Sequence, residues 1–110
     1  MFEIDSQMPF EGTEIKINVN IAPIGEVTMD DYDFIVEVYA VPGKVVRVEK
    51  KDARKIDSNN YLIKVDTAQT GAGRLRCKIT AYIPDVDFED SLRTEILCMD
   101  TGITVMKVDV

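Results

Sequence analysis

Apolar and polar residues alternate with a period of two along most of this chain, and helical periodicity is nearly absent. Such alternation is typical of β-strands that have one buried face and one solvated face. The pattern predicts strands at residues 14–21, 33–41, 44–50, 61–66, 73–83, 93–100 and 103–108. Seven short strands separated by turn signals, such as Pro42-Gly43 and Thr101-Gly102, favour an antiparallel, immunoglobulin-like β-sandwich. A small β-barrel is the alternative architecture.

Residues 27–33 (VTMDDYD) are the one segment in which the pattern allows a short helical turn. Its acidic residues Asp30, Asp31 and Asp33 stand directly before a predicted strand. Short acidic side chains in such places form turns and accept hydrogen bonds from backbone amides. We interpret this acidic group as turn-forming and not catalytic.

The strands at 73–83 and 93–100 are predicted to form a hairpin around an acidic loop at 84–91. A register that points the apolar residues of both strands inward places Cys77 opposite Cys98. A disulfide directly across two strands is geometrically awkward, and a cytoplasmic setting keeps thiols reduced. The sequence therefore predicts two buried free thiols, side by side in the core.

The length of 110 residues fits a single domain over residues 1–110, and 45% apolar with 30% charged residues is ordinary for a globular protein. No apolar run approaches the roughly 18 residues that cross a bilayer. The first residues carry two acids and lack a basic stretch followed by an apolar one, so no signal peptide is expected. We expect synthesis in the cytoplasm and no membrane partner.

The net charge of −7 disfavours binding to nucleic acid, which rewards clusters of Lys and Arg. Residues 1–40 hold nine acids and one base, whereas residues 44–55, here called the basic ribbon, carry six bases against two acids. The candidate partner contacts on this ribbon are Lys44, Arg47, Lys50, Lys51 and Arg54. Opposite charges at two ends of a domain favour head-to-tail assembly. Two independently solvated surfaces are the alternative.

The chain has no histidine, which excludes Ser-His-Asp catalysis, Cys-His catalysis and His-ligated metals. Two cysteines without CxxC spacing are too few for a zinc site. The glycine-rich TGAGR at 70–74 lacks the GK[ST] of a P-loop and is explained by a tight entry into the next strand. No catalytic residue and no cofactor is predicted, and the chain is not expected to be an enzyme.

The acidic loop satisfies part of the spacing of a calcium-binding EF-hand loop. However, Asp90 stands where that motif needs glycine, Ile96 where it needs glutamate, and the flanking segments are strands. Asp85, Asp87 and Asp90 are therefore candidates only for a weak, partly hydrated calcium site.

Residues 60–96 (NYLIKVDTAQTGAGRLRCKITAYIPDVDFEDSLRTEI) and, more weakly, residues 31–40 (DYDFIVEVYA) resemble small β-sandwich proteins of phage and prophage tail regions. These segments are similar to the immunoglobulin-like N-terminal module of siphophage upper baseplate proteins. The resemblance implies a structural tail or baseplate component, incorporated in a virion, with other tail proteins or copies of itself as partners. The resembling segments contain no catalytic or ligand-binding residue of that group. The resemblance implies that the chain is a docking module alone or a truncated adaptor.

A calcium- or carbohydrate-binding module that uses the acidic loop is the alternative function. The absence of tryptophan argues against the exposed aromatic platforms that carbohydrate-binding sandwiches favour. Phe88 stands at the tip of the loop and is a further candidate partner contact. Its ring is expected either to fold back onto the edge of the sandwich or to await a partner.

Overall fold

A computed structural model describes residues 9–41 and 43–108. Seven β-strands form in this part of the chain: β1 (Glu14–Asn20), β2 (Asp33–Ala40), β3 (Val45–Glu49), β4 (Arg54–Asp57), β5 (Asn60–Asp66), β6 (Gly73–Pro84) and β7 (Leu92–Val105). A single helical turn, α1 (Thr67–Thr70), joins β5 to β6. Three 3₁₀ turns lie at Met29–Asp31, Lys50–Asp52 and Glu89–Ser91. None of the helices in this part is long and apolar enough to cross a bilayer.

The strands form two antiparallel sheets with the orders β1-β5-β4 and β3-β2-β6-β7. If β1 to β7 are equated with strands B, C, C′, D, E, F and G, the sheets become B-E-D and C′-C-F-G. This is the strand arrangement of immunoglobulin-like sandwiches. The predicted fold class is confirmed, and the two separate sheets rule out the alternative of a closed barrel.

The core lies between the sheets and consists of the inward positions of alternating strands. β2 contributes Phe34, Val36 and Val38, all with no exposed surface, and β6 contributes every second residue from Leu75 to Ile83. The Phe34 ring lies edge-on to Tyr61, with centroids 5.2 Å apart, and to Tyr32 at 6.3 Å. Phe34 thus joins the two sheets at one end of the core.

A helical turn within 27–33 is confirmed as the 3₁₀ turn Met29–Asp31. The expectation that this is the one such segment is wrong, because α1 and two other 3₁₀ turns also form. The Thr28 N–H donates to Asp31 Oδ2 at 2.8 Å, and the Asp30 N–H donates to Thr28 Oγ1 at 3.3 Å. This reciprocal capping satisfies amides at the start of the turn. The interpretation of the acidic group as turn-forming is also confirmed for Asp31.

The predicted set of strands is wrong in two places. The prediction missed β4, a short strand that follows the basic 3₁₀ turn, and it divided β7 at Thr101-Gly102. This dipeptide forms an irregularity within one continuous strand, where the pairing with β6 shifts between Arg74 and Arg76. Thr101 Oγ1 donates to the Leu75 carbonyl at 2.8 Å, and Gly102 adopts a φ of 77°, a conformation that glycine tolerates.

The predicted register of the β6–β7 hairpin is wrong by one residue. Cys98 lies opposite Lys78, and Cys77 lies opposite Met99. Because side chains alternate between faces, a slip of one residue moves the whole set to the other side. Cys77 is buried and burial raises the pKa of its thiol to about 11, but Cys98 is exposed on the surface.

The physical reason for the slip is the continuity of β7. Ile103 and Val105 are buried, and both are in phase with Leu97, which packs against the core. The pairing with β6 shifts by two residues at Thr101-Gly102, which keeps the phase, so odd-numbered residues of β7 lie on the core side both before and after this irregularity. Leu92 and Ile96 face solvent as a result, although the prediction placed them in the core.

Candidate interaction surfaces

Four of the five predicted contacts of the basic ribbon are exposed: Lys44, Arg47, Lys51 and Arg54. Arg47 lies opposite Glu37 in the ladder between β2 and β3. Lys51 Nζ lies 3.2 Å from a carboxylate oxygen of Glu49, and both side chains are largely exposed. Exposed ion pairs of this kind contribute little to stability, so these cations remain accessible to a partner.

Lys50 is half-buried, and its ammonium is engaged within the chain. Its Nζ donates to the Tyr32 carbonyl at 2.7 Å and to the Asp30 carbonyl at 3.2 Å. The same ammonium lies 5.8 Å from the ring centroids of both Phe34 and Tyr61. Lys50 therefore closes one end of the sandwich by satisfying backbone carbonyls beside the aromatic cluster.

Asp30 joins the acidic segment to the basic ribbon within one chain. Its Oδ2 accepts a hydrogen bond from Lys55 Nζ at 2.8 Å, and its Oδ1 accepts one from the Tyr61 hydroxyl at 2.6 Å. The hydrogen bonds from Lys55 and Tyr61 hold the pKa of Asp30 below its usual value. Part of the charge expected to attract another copy head-to-tail is thus neutralised internally.

Tyr61 is 6% exposed, and burial, with the hydrogen bond to Asp30, raises its pKa to about 12. In the unfolded chain a tyrosine titrates near pH 10. A pKa that is higher in the folded state gives stability that is complete below about pH 10 and is lost as the pH rises through about 12. Tyr61→Phe is therefore expected to reduce the alkaline loss of stability over this window, as measured by urea unfolding at a series of pH values.

Tyr39→Phe is the matched control, because Tyr39 lies on the solvent side of β2. Lysines also titrate at alkaline pH, so the informative quantity is the difference between the two variants. Equal alkaline sensitivity in Tyr61→Phe and Tyr39→Phe would contradict this role for Tyr61.

The acidic loop is organised by hydrogen bonds to Asp85. One carboxylate oxygen of Asp85 accepts from Arg93 at 2.9 Å, and the other accepts from the Asp87 N–H at 3.1 Å. Within residues 9–41 and 43–108, no group of three or more acidic or cysteine side chains is arranged to hold a metal ion. Asp85, Asp87 and Asp90 are therefore not brought together, and the weak calcium site loses its geometric basis.

Phe88 is 50% exposed at the tip of this loop. Its backbone N–H donates to the Asp85 carbonyl at 3.3 Å, and its carbonyl accepts from Ser91 at 2.9 Å. The side chain is thus half covered and half open to solvent. It remains a candidate contact for a partner.

The sheet β3-β2-β6-β7 turns one face to solvent, here called the outer face. Cross-strand neighbours on this face form three mixed rows: Glu49–Ile35–Thr80–Ile96, Arg47–Glu37–Lys78–Cys98 and Val45–Tyr39–Arg76–Asp100. A shallow depression of about 270 Å³ lies between Glu37, Tyr39, Val45 and Lys78. Apolar, aromatic and oppositely charged side chains on one exposed sheet are suited to contact with another protein.

β7 carries three exposed apolar side chains, two of which the predicted register placed in the core. Leu92 is 45% exposed, Ile96 is 57% exposed and Met99 is 39% exposed. β7 is also the last strand of its sheet, with β6 on one side. The signal that could have revealed this surface is the common phase of Leu97, Ile103 and Val105.

An open depression of about 520 Å³ lies between the β2–β3 turn and α1. Among its described lining residues, Lys44 is the one ionisable side chain, beside Gln69 and Thr70. A second depression of about 330 Å³ lies between β3 and β5 and is lined by charges of both signs, including Glu14, Arg47 and Lys64.

Comparisons of the chain with protein-family models, with curated proteins and with solved structures give no significant match.

Proposed function

We propose that this chain is a non-enzymatic structural module of a phage or prophage tail or baseplate, and that it works through protein–protein contacts. The observation that carries the proposal is the surface formed by the edge of β7 and the outer face beside it. Unpaired strand edges are ready templates for pairing with another chain, and exposed apolar side chains beside them favour such pairing. Leu92 and Ile96 supply these side chains here.

The charges of the outer face support proteins as the partners. Glu37 lies between Arg47 on one neighbouring strand and Lys78 on the other, so positive and negative groups alternate across the sheet. Together with a net charge of −7, this pattern lacks the continuous positive surface that binds nucleic acid. The tail or baseplate setting itself comes from the resemblance of residues 60–96 to small β-sandwich proteins of such regions.

The proposal is tested by looking for the chain in assembled particles. Induction of the lysogen that carries the gene, followed by density-gradient purification of the particles, should recover the chain in constant ratio to the major capsid protein by mass spectrometry. A host cytoplasmic enzyme of similar size serves as the control and should fall to background. A chain that is abundant in the lysate but at background in the particles would refute the virion role.

A further inference from the structure

Residues 92–96 of β7 (LRTEI) have a chemical symmetry about Thr94. Apolar residues stand at both ends, and Arg93 and Glu95, of opposite charge, flank the centre. We infer that β7 pairs edge to edge with β7 of a second copy of this chain, antiparallel, across a two-fold axis through Thr94. The inference rests on the proposed function as an interaction module and names its partner.

The backbone of β7 presents the groups that this pairing needs. The Asp85 N–H donates to the Ser91 carbonyl at 2.9 Å, which fixes the alternation of the β6–β7 ladder. In an antiparallel ladder the residues that bond to one neighbour alternate with residues whose N–H and C=O groups point away. The odd-numbered residues of this part of β7 bond to β6, so Leu92, Thr94 and Ile96 direct their backbone groups to the outer edge.

Over residues 92–96 this outer edge has no partner among the strands that residues 9–41 and 43–108 form, because β7 ends the order β3-β2-β6-β7. The parallel bridge between Phe10 and Met106 lies beyond the other end of β7. Pairing about Thr94 would exchange two hydrogen bonds between the two copies of Thr94. It would add further pairs between Leu92 of one copy and Ile96 of the other. Two four-stranded sheets would become one continuous eight-stranded sheet across the axis.

The same register also brings the exposed side chains of the two copies into matching pairs. Leu92 and Ile96, 45% and 57% exposed, would face each other twice across the axis, with Thr94 opposite Thr94 between them. Cross-strand apolar pairs and threonine pairs each stabilise a sheet by about 0.2–1 kcal/mol. The pairing therefore covers apolar surface that the monomer leaves in water.

On the core side of β7, the side chains at positions symmetric about the axis carry opposite charges. Arg93 lies 2.9 Å from Asp85 and its Nε lies 3.1 Å from Glu95 Oε1 of the same chain. That Nε is buried, yet no hydrogen bond of acceptable geometry reaches it within the described residues. Across the axis Arg93 would face Glu95 of the second copy, which supplies an acceptor for the unsatisfied donor.

Charged side chains that point inward on an edge strand usually prevent pairing, because two like charges meet. On β7 the signs are opposite at positions symmetric about Thr94, so self-pairing attracts. The other edge of the same sheet differs: pairing β3 with itself about its middle residue would set Arg47 against Arg47. The choice of β7 over β3 follows from this difference.

The decisive experiment is a charge exchange between two variants of the full chain, measured by analytical ultracentrifugation. Arg93→Glu and Glu95→Arg each set like charges opposite each other in a homodimer, and each should self-associate more than about tenfold more weakly than the wild type. An equimolar mixture of the two variants restores both opposite-charge pairs and should form a heterodimer. Lys16→Glu, a matched charge reversal at an exposed position of β1 in the other sheet, should dimerise as the wild type does.

Thr94→Pro provides a test that does not depend on charge. The Thr94 N–H points away from β6, so proline at this edge position keeps the ladder of the monomer while removing the central donor of the dimer. The variant should keep the wild-type circular dichroism spectrum and lose self-association. This test also stands if Arg93→Glu fails to fold because it loses its contact with Asp85.

A wild-type chain that remains monomeric up to millimolar concentration would overturn the inference. So would a dimer that survives Thr94→Pro, or one that Lys16→Glu dissociates. These outcomes are separate from the test of the proposed function: a monomeric chain found in particles refutes the β7 dimer alone, and a β7 dimer missing from particles refutes the virion role alone.

Discussion

Phe34→Ala is expected to lower the free energy of unfolding by about 3–5 kcal/mol, the usual cost of truncating a fully buried phenylalanine. Phe34 has no exposed surface and lies edge-on to both Tyr61 and Tyr32. Its removal leaves a cavity where the two sheets meet and takes away one of the rings beside the Lys50 ammonium. Urea unfolding followed by circular dichroism measures the loss.

Phe88→Ala is the matched control, because it makes the same chemical change on a side chain that is half exposed at a loop tip. Surface substitutions of this kind usually change stability by no more than about 0.5 kcal/mol. Similar losses for the two variants would mean that Phe34 does not occupy the centre of the packed core.

The sequence was sufficient to predict β2 and β6 because their alternation is regular and both ends are marked by turn residues. The register of β7 was predicted wrongly, because the apolar residues of this strand occupy both of its faces. Ile96 and Leu97 are adjacent, and Thr101-Gly102 reads locally as a turn. The face of β7 that lies toward the core is set later in the strand, by the burial of Ile103 and Val105.

The contacts around Asp30 could not be read from the sequence for a different reason. Its partners Lys55 and Tyr61 are distant along the chain and meet it through the order of strands in two sheets. Composition identified a basic ribbon but could not separate Lys50, which binds backbone carbonyls, from Lys51, which extends into solvent. The edge position of β7 likewise depends on strand order, which local patterns do not specify.

Thr67 shows how a buried hydroxyl connects segments that the strand pattern treats as loops. It has no exposed surface, and its Oγ1 accepts from the Gly12 N–H at 2.9 Å and donates to the Thr13 carbonyl at 2.7 Å. Its own N–H also donates to the Thr13 carbonyl at 3.1 Å. The start of α1 thereby holds the segment that leads into β1.

Thr67→Val keeps the shape of this side chain and removes the hydroxyl, so the Gly12 N–H loses its partner while the Thr13 carbonyl keeps the backbone donor. Because Gly12 itself is exposed, its N–H can turn to water, and we expect the free energy of unfolding to fall by about 0.5–1.5 kcal/mol, the usual net contribution of one hydrogen bond. Amide hydrogen exchange should show faster exchange at Gly12. Thr80→Val on the outer face is the control and should be neutral or slightly stabilising, since valine favours strands. Wild-type stability with a protected Gly12 amide would mean that the hydroxyl of Thr67 does not hold this segment in place.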